Sequence, residues 1–312
     1  MKRNTSEKSQ LLQELRLQHD IVSGEKLSAA LGLSRESIGK HIHELQDLGY
    51  QIVSTSGGYR LVSSPDILFP WEYPGNDVNI LYFPEVTSTM DIARDQARNN
   101  CPDLTVVIAG RQTNGRGRLK RRWFSDDGGL YFTMVLRPEI PVQSSFKVNF
   151  LASLTLARVI REMLQIEAMV KWPNDILVDD FKISGMLSEL ETEADRVSFI
   201  GIGMGVNVNN DPSGAEPGAS SLKKISGREV SRKDLLSRFL TRFRDRINKT
   251  NFEDVIAEWK KYTVTLGRQV RIVTNLEESE GLAVDVDESG ALVLELANGE
   301  QKKIIYGDCF LL

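Results

Sequence analysis

The chain has 312 residues, 41% of them hydrophobic, with 39 lysines and arginines against 43 aspartates and glutamates for a net charge of −4. This length accommodates two or three domains with a sizeable core, and the acidic balance excludes a global nucleic-acid footprint, so any DNA contact must come from a local surface. Cys101 and Cys309 lie far apart outside any CxxC pattern, which excludes a metal knuckle or a disulfide framework and suits a reducing cytoplasm; no apolar run approaches the roughly 18 residues needed to span a bilayer.

In chain order, Leu11, Leu12 and Leu15 mark a first helix, Leu27, Ala30 and Leu31 a second, and Ile38, Ile42 and Leu45 a third. Gly32 separates the second and third, Ser34 is a good N-cap, and Gly49 stands where a helix ends. Tyr50, Ile52 and Val53 then turn through Gly57 and Gly58 to Tyr59, Leu61 and Val62, so residues 1–65 read as a winged helix-turn-helix. In such a module the third helix enters the major groove, which makes Ser34, Arg35, Ser37, Lys40 and His41 the candidates for DNA contact. All three histidines (His19, His41, His43) fall in this segment, which leaves no histidine for nucleophilic or metal chemistry elsewhere.

Pro65 to Asn76 reads as a linker, and strands and helices alternate after it. Strands are predicted at Asn79–Phe83, Thr105–Ala109, Leu130–Leu136, Ala168–Lys171, Ile176–Val178, Ile183–Glu189 and Val197–Val208. Helices are predicted at Met90–Asn99, Phe150–Leu164, Ser231–Asn248 and Phe252–Tyr262. The expectation is an α+β domain over residues 66–265, a central mixed sheet with its helices on one face. Residues 266–312 return to short strands with turns at Ser289-Gly290 and Asn298-Gly299, the pattern of a small barrel.

Four elements carry polar chemistry. Ser88-Thr89-Met90 sits at the start of a helix, where hydroxyls and free N–H groups bind polar heads. The run GRQTNGRGRLKRRWFS, Gly110 to Ser125, gathers Arg116, Arg118, Arg121 and Arg122 around Gly115 and Gly117. Glycine permits close approach or positive φ, arginine offers planar forks for phosphate or carboxylate, and crowded like charge resists packing until counter-charge arrives; the run is a candidate lid over an anion. Lys171-Trp172-Pro173-Asn174-Asp175 ends one strand with a cation and begins the next with a carboxylate. Lys182 starts the strand that runs back beside it. Arg116, Arg118, Arg121, Lys171 and Lys182 around the single acid Asp175 suit phosphoryl or nucleotidyl transfer, where positioning and neutralisation of phosphate charge dominate; the Walker sequence is absent.

The pairing of GRGRLKRRWFS with KWPNDI, followed by K-x-S-G and GIGMGVNVN, resembles the biotin–protein ligases, and the winged helix ahead of them resembles their bifunctional bacterial form, which is also the biotin operon repressor. The resemblance spans the chain and implies a class II synthetase-like ligase domain with an SH3-like C-terminal domain. It implies ATP and Mg²⁺ as cofactors, biotinyl-5′-AMP as intermediate, and the biotin carboxyl carrier protein of acetyl-CoA carboxylase as acceptor. Operator DNA and a ligand-promoted homodimer are implied as well. By motif, Ser88, Thr89, Met90 and Gln112 would face the biotin head, Arg116, Gly117 and Arg118 would close over its tail and the phosphate, and Trp123 would supply apolar wall. Lys171 and Lys182 would neutralise developing charge, Arg121 and Asn174 would assist at the nucleotide, and Asn207 would contact adenine. Gly203 and Gly205 would keep the slot open; Asp175 would either position Mg²⁺ or accept a proton.

Three positions depart from the family pattern. Met90 stands where some members have asparagine, Lys120 where glycine occurs, and the loop Asp211–Ser221 lacks a tryptophan, leaving aliphatic residues near Leu222 to close over the nucleotide. A ligand-sensing transcription factor without ligase activity is the alternative, and the intact set of Lys171, Asp175, Lys182 and loop arginines argues against it. Ligation of lipoate or octanoate is disfavoured by the GRGR and KWPND pair.

Overall fold

The computed structural model describes all residues except 1–6, 19, 76–77, 195, 248–253 and 275, and the side chain of Lys120. His19, the helix ends expected at Asn248 and Phe252, and the Lys120 side chain therefore lie outside the described residues. Contacts divide the chain into two compact units, residues 1–77 and 78–312.

The first unit is built from α1 (Glu7–Leu17), α2 (Gly24–Leu31), α3 (Arg35–Asp47), β1 (Gln51–Thr55) and β2 (Gly58–Ser63). Leu11, Leu12, Leu15, Leu27, Ile38, Ile42 and Leu45 share one buried core, as their helical spacing requires. Ser23 and Ser34 cap α2 and α3, each accepting a bond from a first-turn backbone N–H, and Gly32 ends α2 at φ 68°, a left-handed conformation that suits glycine. β1 and β2 pair antiparallel as the wing. The expected linker after Pro65 is partly ordered here: Phe69 and Trp71 pack on the core. Glu72 receives hydrogen bonds from Arg16 and Tyr50, because a nearly buried carboxylate needs such partners.

In the second unit, β3 (Asn79–Val86), β4 (Thr105–Gln112), β5 (Leu130–Leu136), β6 (Met169–Lys171), β7 (Asp175–Val178), β8 (Phe181–Glu193) and β9 (Arg196–Val206) form a seven-stranded sheet of order β3-β4-β5-β9-β8-β7-β6. Among the described strands of this sheet, β3 and β4 form a parallel ladder and the other ladders are antiparallel. β3 and β4 outrun the predicted ends at Phe83 and Ala109 because Glu85 pairs with Arg111 and Val86 with Gln112. The helices are α4 (Thr89–Arg98), α5 (Phe146–Leu164), α6 (Leu222–Ser226), α7 (Arg232–Ile247) and α8 (Val255–Lys260).

The expectation of helices on one face is corrected in one respect. Along β5, Val135 packs with Ala93 and Ala97 of α4, and Thr133 Oγ1 bonds Thr89 Oγ1 at 2.8 Å, whereas Phe132 meets Phe239 of α7 with ring centroids 5.6 Å apart. Alternate residues of a strand point to opposite faces, so α4 and α7 lie on opposite sides of the sheet. The reason is topological: a parallel β3–β4 pair needs a crossover, and α4 is that crossover. On the α7 side, α5 and α8 join through Phe150 and Trp259, centroids 4.9 Å apart.

The chain ends in β10 (Gln269–Val273), β11 (Glu278–Val286), β12 (Leu292–Glu295), β13 (Gln301–Ile304) and β14 (Asp308–Leu311), an antiparallel sheet of order β13-β12-β11-β10-β14. Gly290 and Gly299 take φ 76° and 81° in the turns expected there. Where a small barrel was expected, no ladder joins the edge strands β13 and β14 among the described residues. No described helix is long and apolar enough to cross a membrane.

Candidate active site

A cleft of about 870 Å³ opens on the second unit, lined by the start of α4, the loop between β4 and β5, the β6–β7 turn, the first half of β8, the end of β9, the 211–221 loop, and β14. At its α4 end lies a buried polar cluster. Ser88 caps α4, its Oγ accepting from Met90 N at 3.3 Å. Gln112 Oε1 accepts from the Thr89 N–H at 2.8 Å and from the Thr89 hydroxyl at 3.1 Å, while its Nε2 donates to Ser125 Oγ at 2.9 Å. Ser125, which closes the GRGRLKRRWFS run without a predicted role, and Thr133, which lies in no motif, lock this cluster.

Across the cleft, Lys171 ends β6 and Asp175 begins β7, directly opposed in the ladder, with a cis Trp172–Pro173 bond in the turn between them. Trp172 is 1% exposed, its indole N–H donating to Gly290 O at 3.0 Å. Lys182 Nζ lies 3.3 Å from Asp175 Oδ1, 3.7 Å from Glu216 Oε1, and 5.4 Å from the centre of the Trp123 ring. One lysine thus touches a strand, a loop and the lid.

The arginine loop is folded. Trp123 N donates to Gly115 O at 2.8 Å, and Gly117 N to Arg121 O at 2.8 Å. The expectation that like charge would keep it unpacked until a ligand arrives is corrected, because the chain supplies its own counter-charges. Arg116 reaches Glu189 at 3.0 Å and Asp91 at 3.2 Å, and Arg121 pairs with Asp308. Arg118 donates to Asn174 Oδ1 at 3.1 Å, and Arg122 to Thr113 O at 2.7 Å. Burial pulls the Arg118 guanidinium below its ordinary pKa, opposed by the charges of Asp308 and Asp175. Gly115 serves close approach: a Cβ there would stand 2.6 Å from Ser125 Oγ. The left-handed residue of the loop is Leu119, at φ 51°.

The floor is glycine for a steric reason. A Cβ on Gly203 would collide with the Met90 thioether, one on Gly205 with the Trp123 indole, and one on Gly185 would lie 2.9 Å from Trp123 Cζ3. Gly203 and Gly205 thus admit two of the chain's own side chains into the slot.

Three families of sequence match parts of this architecture. Residues 82–207 match the Biotin/lipoate A/B protein ligase family, residues 265–312 the biotin protein ligase C terminal domain, and residues 7–60 an HTH domain. The Bifunctional ligase/repressor BirA of Bacillus subtilis (strain 168) is 34% identical over 300 residues, covering 91% of this chain and 92% of that protein. The chain belongs to this family of bifunctional ligase/repressors.

The BirA of Escherichia coli (strain K12) is 29% identical, with 88% of both chains covered. The solved biotin protein ligase from Aquifex aeolicus in complex with biotin and ATP superposes with a TM-score of 0.65 at 29% identity, covering 75% of this chain and 98% of that one. Of the residues expected at the site, the fold of this chain brings Ser88, Thr89, Met90, Gln112, Arg116, Gly117, Arg118, Arg121, Trp123, Lys171, Asn174, Asp175, Lys182, Gly203 and Gly205 to one cleft.

Asn207 does not line the cleft. It is 2% exposed, and its Oδ1 accepts from Asn210 Nδ2 at 3.0 Å beneath the start of α6. Leu222, expected near the nucleotide, is wholly buried. The 211–221 loop instead presents Ala215, Glu216 and Gly218, held against β8 by Lys182 N donating to Gly218 O at 2.9 Å. Sequence reasoning missed Arg268, Asp308, Cys309, Phe310 and Leu311, which line the cleft from the terminal sheet. Burial pushes the Cys309 thiol up to about 11, so it stays protonated near neutrality. Only the GDC turn into β14 could have signalled this strand, and it has no pattern that separates it from an ordinary edge.

In the first unit, Ser34, Arg35 and Lys40 are exposed on α3. Ser34 Oγ accepts from Ser37 N at 3.1 Å, and His41 is held by Glu7 at 2.7 Å and Glu44 at 3.4 Å. Arg35 and Lys40 are thus better placed to meet an outside anion than His41.

Proposed function

We propose that the cleft activates biotin with ATP to biotinyl-5′-AMP and passes biotin to a lysine of the biotin carboxyl carrier protein of acetyl-CoA carboxylase. The observation that carries this reading is the gathering of Lys171, Arg118, Lys182 and Asp175 in one cleft, with Lys182 paired to Asp175 and Arg118 bonded to Asn174, beside a buried polar cluster. The polar cluster at Thr89 and Gln112 suits a ureido head, and the apolar faces of Met90 and Trp123, seated on the glycine floor, suit the apolar tail. An oxygen of the biotin carboxylate attacks the α-phosphorus of ATP, the bond to the β-phosphate oxygen breaks, and pyrophosphate leaves. Lys171, Lys182 and Arg118 hold the carboxylate and phosphate oxygens together and offset their repulsion. The acceptor amine then attacks the acyl carbon, AMP departs with the electron pair of the broken C–O bond, and Asp175 takes the proton.

Mg²⁺ fits this donor set. It binds through one or two carboxylates plus phosphate oxygens, and among the described residues there is no cluster of three acidic, histidine or cysteine ligands. Asp175 would hold it only during adenylation, where the ion would screen the phosphate charge, and would be free to take the amine proton once pyrophosphate has left. The relatives named for acetyl-CoA carboxylase, such as the Biotin--[acetyl-CoA-carboxylase] ligase of Paracoccus denitrificans, 32% identical over 205 residues, support the acceptor.

The winged helix supports repression of the biotin operon: occupation of the cleft would promote a homodimer, sheet against sheet, that sets two α3 helices on a two-fold operator. The unpaired, buried Cys101 and Cys309 suit a cytoplasmic site of action. Transfer of labelled biotin to a carrier domain, together with titration of labelled operator DNA in the presence and absence of biotin and ATP, tests both halves. Absence of label transfer would leave a ligand-sensing transcription factor; operator affinity indifferent to the ligands would sink the coupling. Arg35→Ala should leave label transfer intact and weaken operator binding by about 1–3 kcal/mol, read by the same titration.

A further inference from the structure

The terminal strand β14 belongs to a sheet of its own, yet its first residue, Asp308, stands in the cleft against the arginine loop. Its carboxylate is ion-paired with Arg121, and the pair is asymmetric: the Asp308 side chain is 12% exposed and that of Arg121 60%. Asp308 is fixed by the ladder, opposite Val273 of β10, whereas Arg121 closes a single turn of 3₁₀ helix, its N–H donating to Arg118 O at 3.0 Å. The fixed, buried partner is the acid and the movable, exposed partner is the base.

That arrangement has a direction. Asp308 Oδ2 has no well-aligned hydrogen bond among the described residues, so the Arg121 guanidinium is its compensation, and withdrawing it would leave a nearly buried charge unpaired. A guanidinium carries five donors in a planar fork, so it can grip a carboxylate on one edge and present the other to a second anion. Of the other cleft cations, Arg116 answers to Asp91 and Glu189 and Lys182 to Asp175 and Glu216, while Arg118, on which the charge of Asp308 also acts, spends a guanidinium N–H on Asn174 Oδ1.

We propose that Asp308 is a positioning residue, tethering the lid to the terminal sheet and aiming Arg121 at the polyphosphate of bound ATP. The inference rests on the adenylation reading above. It also makes the terminal sheet part of the nucleotide site, acting through Arg121 and not by touching the reacting atoms.

The test uses the full chain and two readouts. Without ligands, Asp308→Asn should be cut by trypsin within the lid several-fold faster than the wild type. In pyrophosphate exchange it should raise the KM for ATP about ten-fold while leaving the KM for biotin near its original value. Asp308→Glu should recover much of the loss, since the charge is kept. Arg121→Gln, at an exposed position, should reproduce the ATP effect, and the double variant should be no worse than either single one. A lid cut no faster in Asp308→Asn, or a KM for ATP that falls because the carboxylate had been competing with phosphate, would overturn the proposal. If Asp308→Asn does not fold, Arg121→Gln decides alone, an unchanged KM for ATP counting against the tether. Failure of the adenylation reading would look different: no exchange by the wild type, with the trypsin difference still present.

Discussion

Lys182→Ala is expected to slow biotinyl-adenylate formation by about 10²-fold or more, the range found when a preorganised donor to developing charge is removed. Lys182 Nζ is only partly exposed and sits between Asp175, Glu216 and the Trp123 face, so its ammonium is already oriented in the resting cleft. When carboxylate and α-phosphate approach, charge accumulates where this ammonium is held, and alanine leaves Asp175 there without its neighbouring cation. Lys182→Arg should recover little, because a planar fork does not reproduce a point charge between two acids. Biotin-dependent pyrophosphate exchange on a folded variant measures the effect, and a rate within a few-fold of wild type would remove Lys182 from the reacting centre.

Trp172→Ala should destabilise the second unit by about 3–5 kcal/mol, the usual cost of truncating a buried tryptophan. The side chain is 1% exposed, and two hydrogen bonds fix it: its backbone N–H donates to Thr265 Oγ1 at 2.9 Å and its indole N–H to Gly290 O at 3.0 Å. For a unit of this size the loss corresponds to a fall in Tm of about 10 °C, measured by thermal denaturation. Trp172 also stands between Lys171 and the Asn174-Asp175 pair, so the variant should lose adenylation even below its melting temperature. Trp172→Phe keeps most of the volume and leaves one carbonyl unpaired, for a smaller loss of about 1–3 kcal/mol. An alanine variant as stable as the wild type would show that the turn does not depend on this anchor.

The motifs that proved legible share a property: each is short in sequence and short in space. Ser88 caps the helix that follows it, Lys171 faces Asp175 across a three-residue turn, and Lys182 is the second residue of the next strand of the same meander. Turn chemistry and two-fold alternation place such residues without knowledge of the rest of the chain. Asn207 fails the same test. The strand expected to run to Val208 ends at Val206, and whether the Asn207 side chain faces the cleft or Asn210 depends on how the chain enters α6. The lid was read as an anion-seeking loop from its composition, which cannot reveal that Asp91, Glu189 and Asp308, distant in sequence, already satisfy it.

From the sequence alone came the order of the domains, the winged helix, the cationic site around Asp175 and the family, because periodicity, caps, turns and contiguous motifs are local properties of the chain. The tertiary structure alone decided that α4 crosses the face opposite α7, that Met90 and Trp123 fill the space spared by Gly203 and Gly205, and that β14 brings Asp308 to the lid. These are matters of which distant surfaces meet. Burial and charge pairing between residues nearly two hundred positions apart leave no periodic trace in either segment, and they exist only once the sheets have assembled.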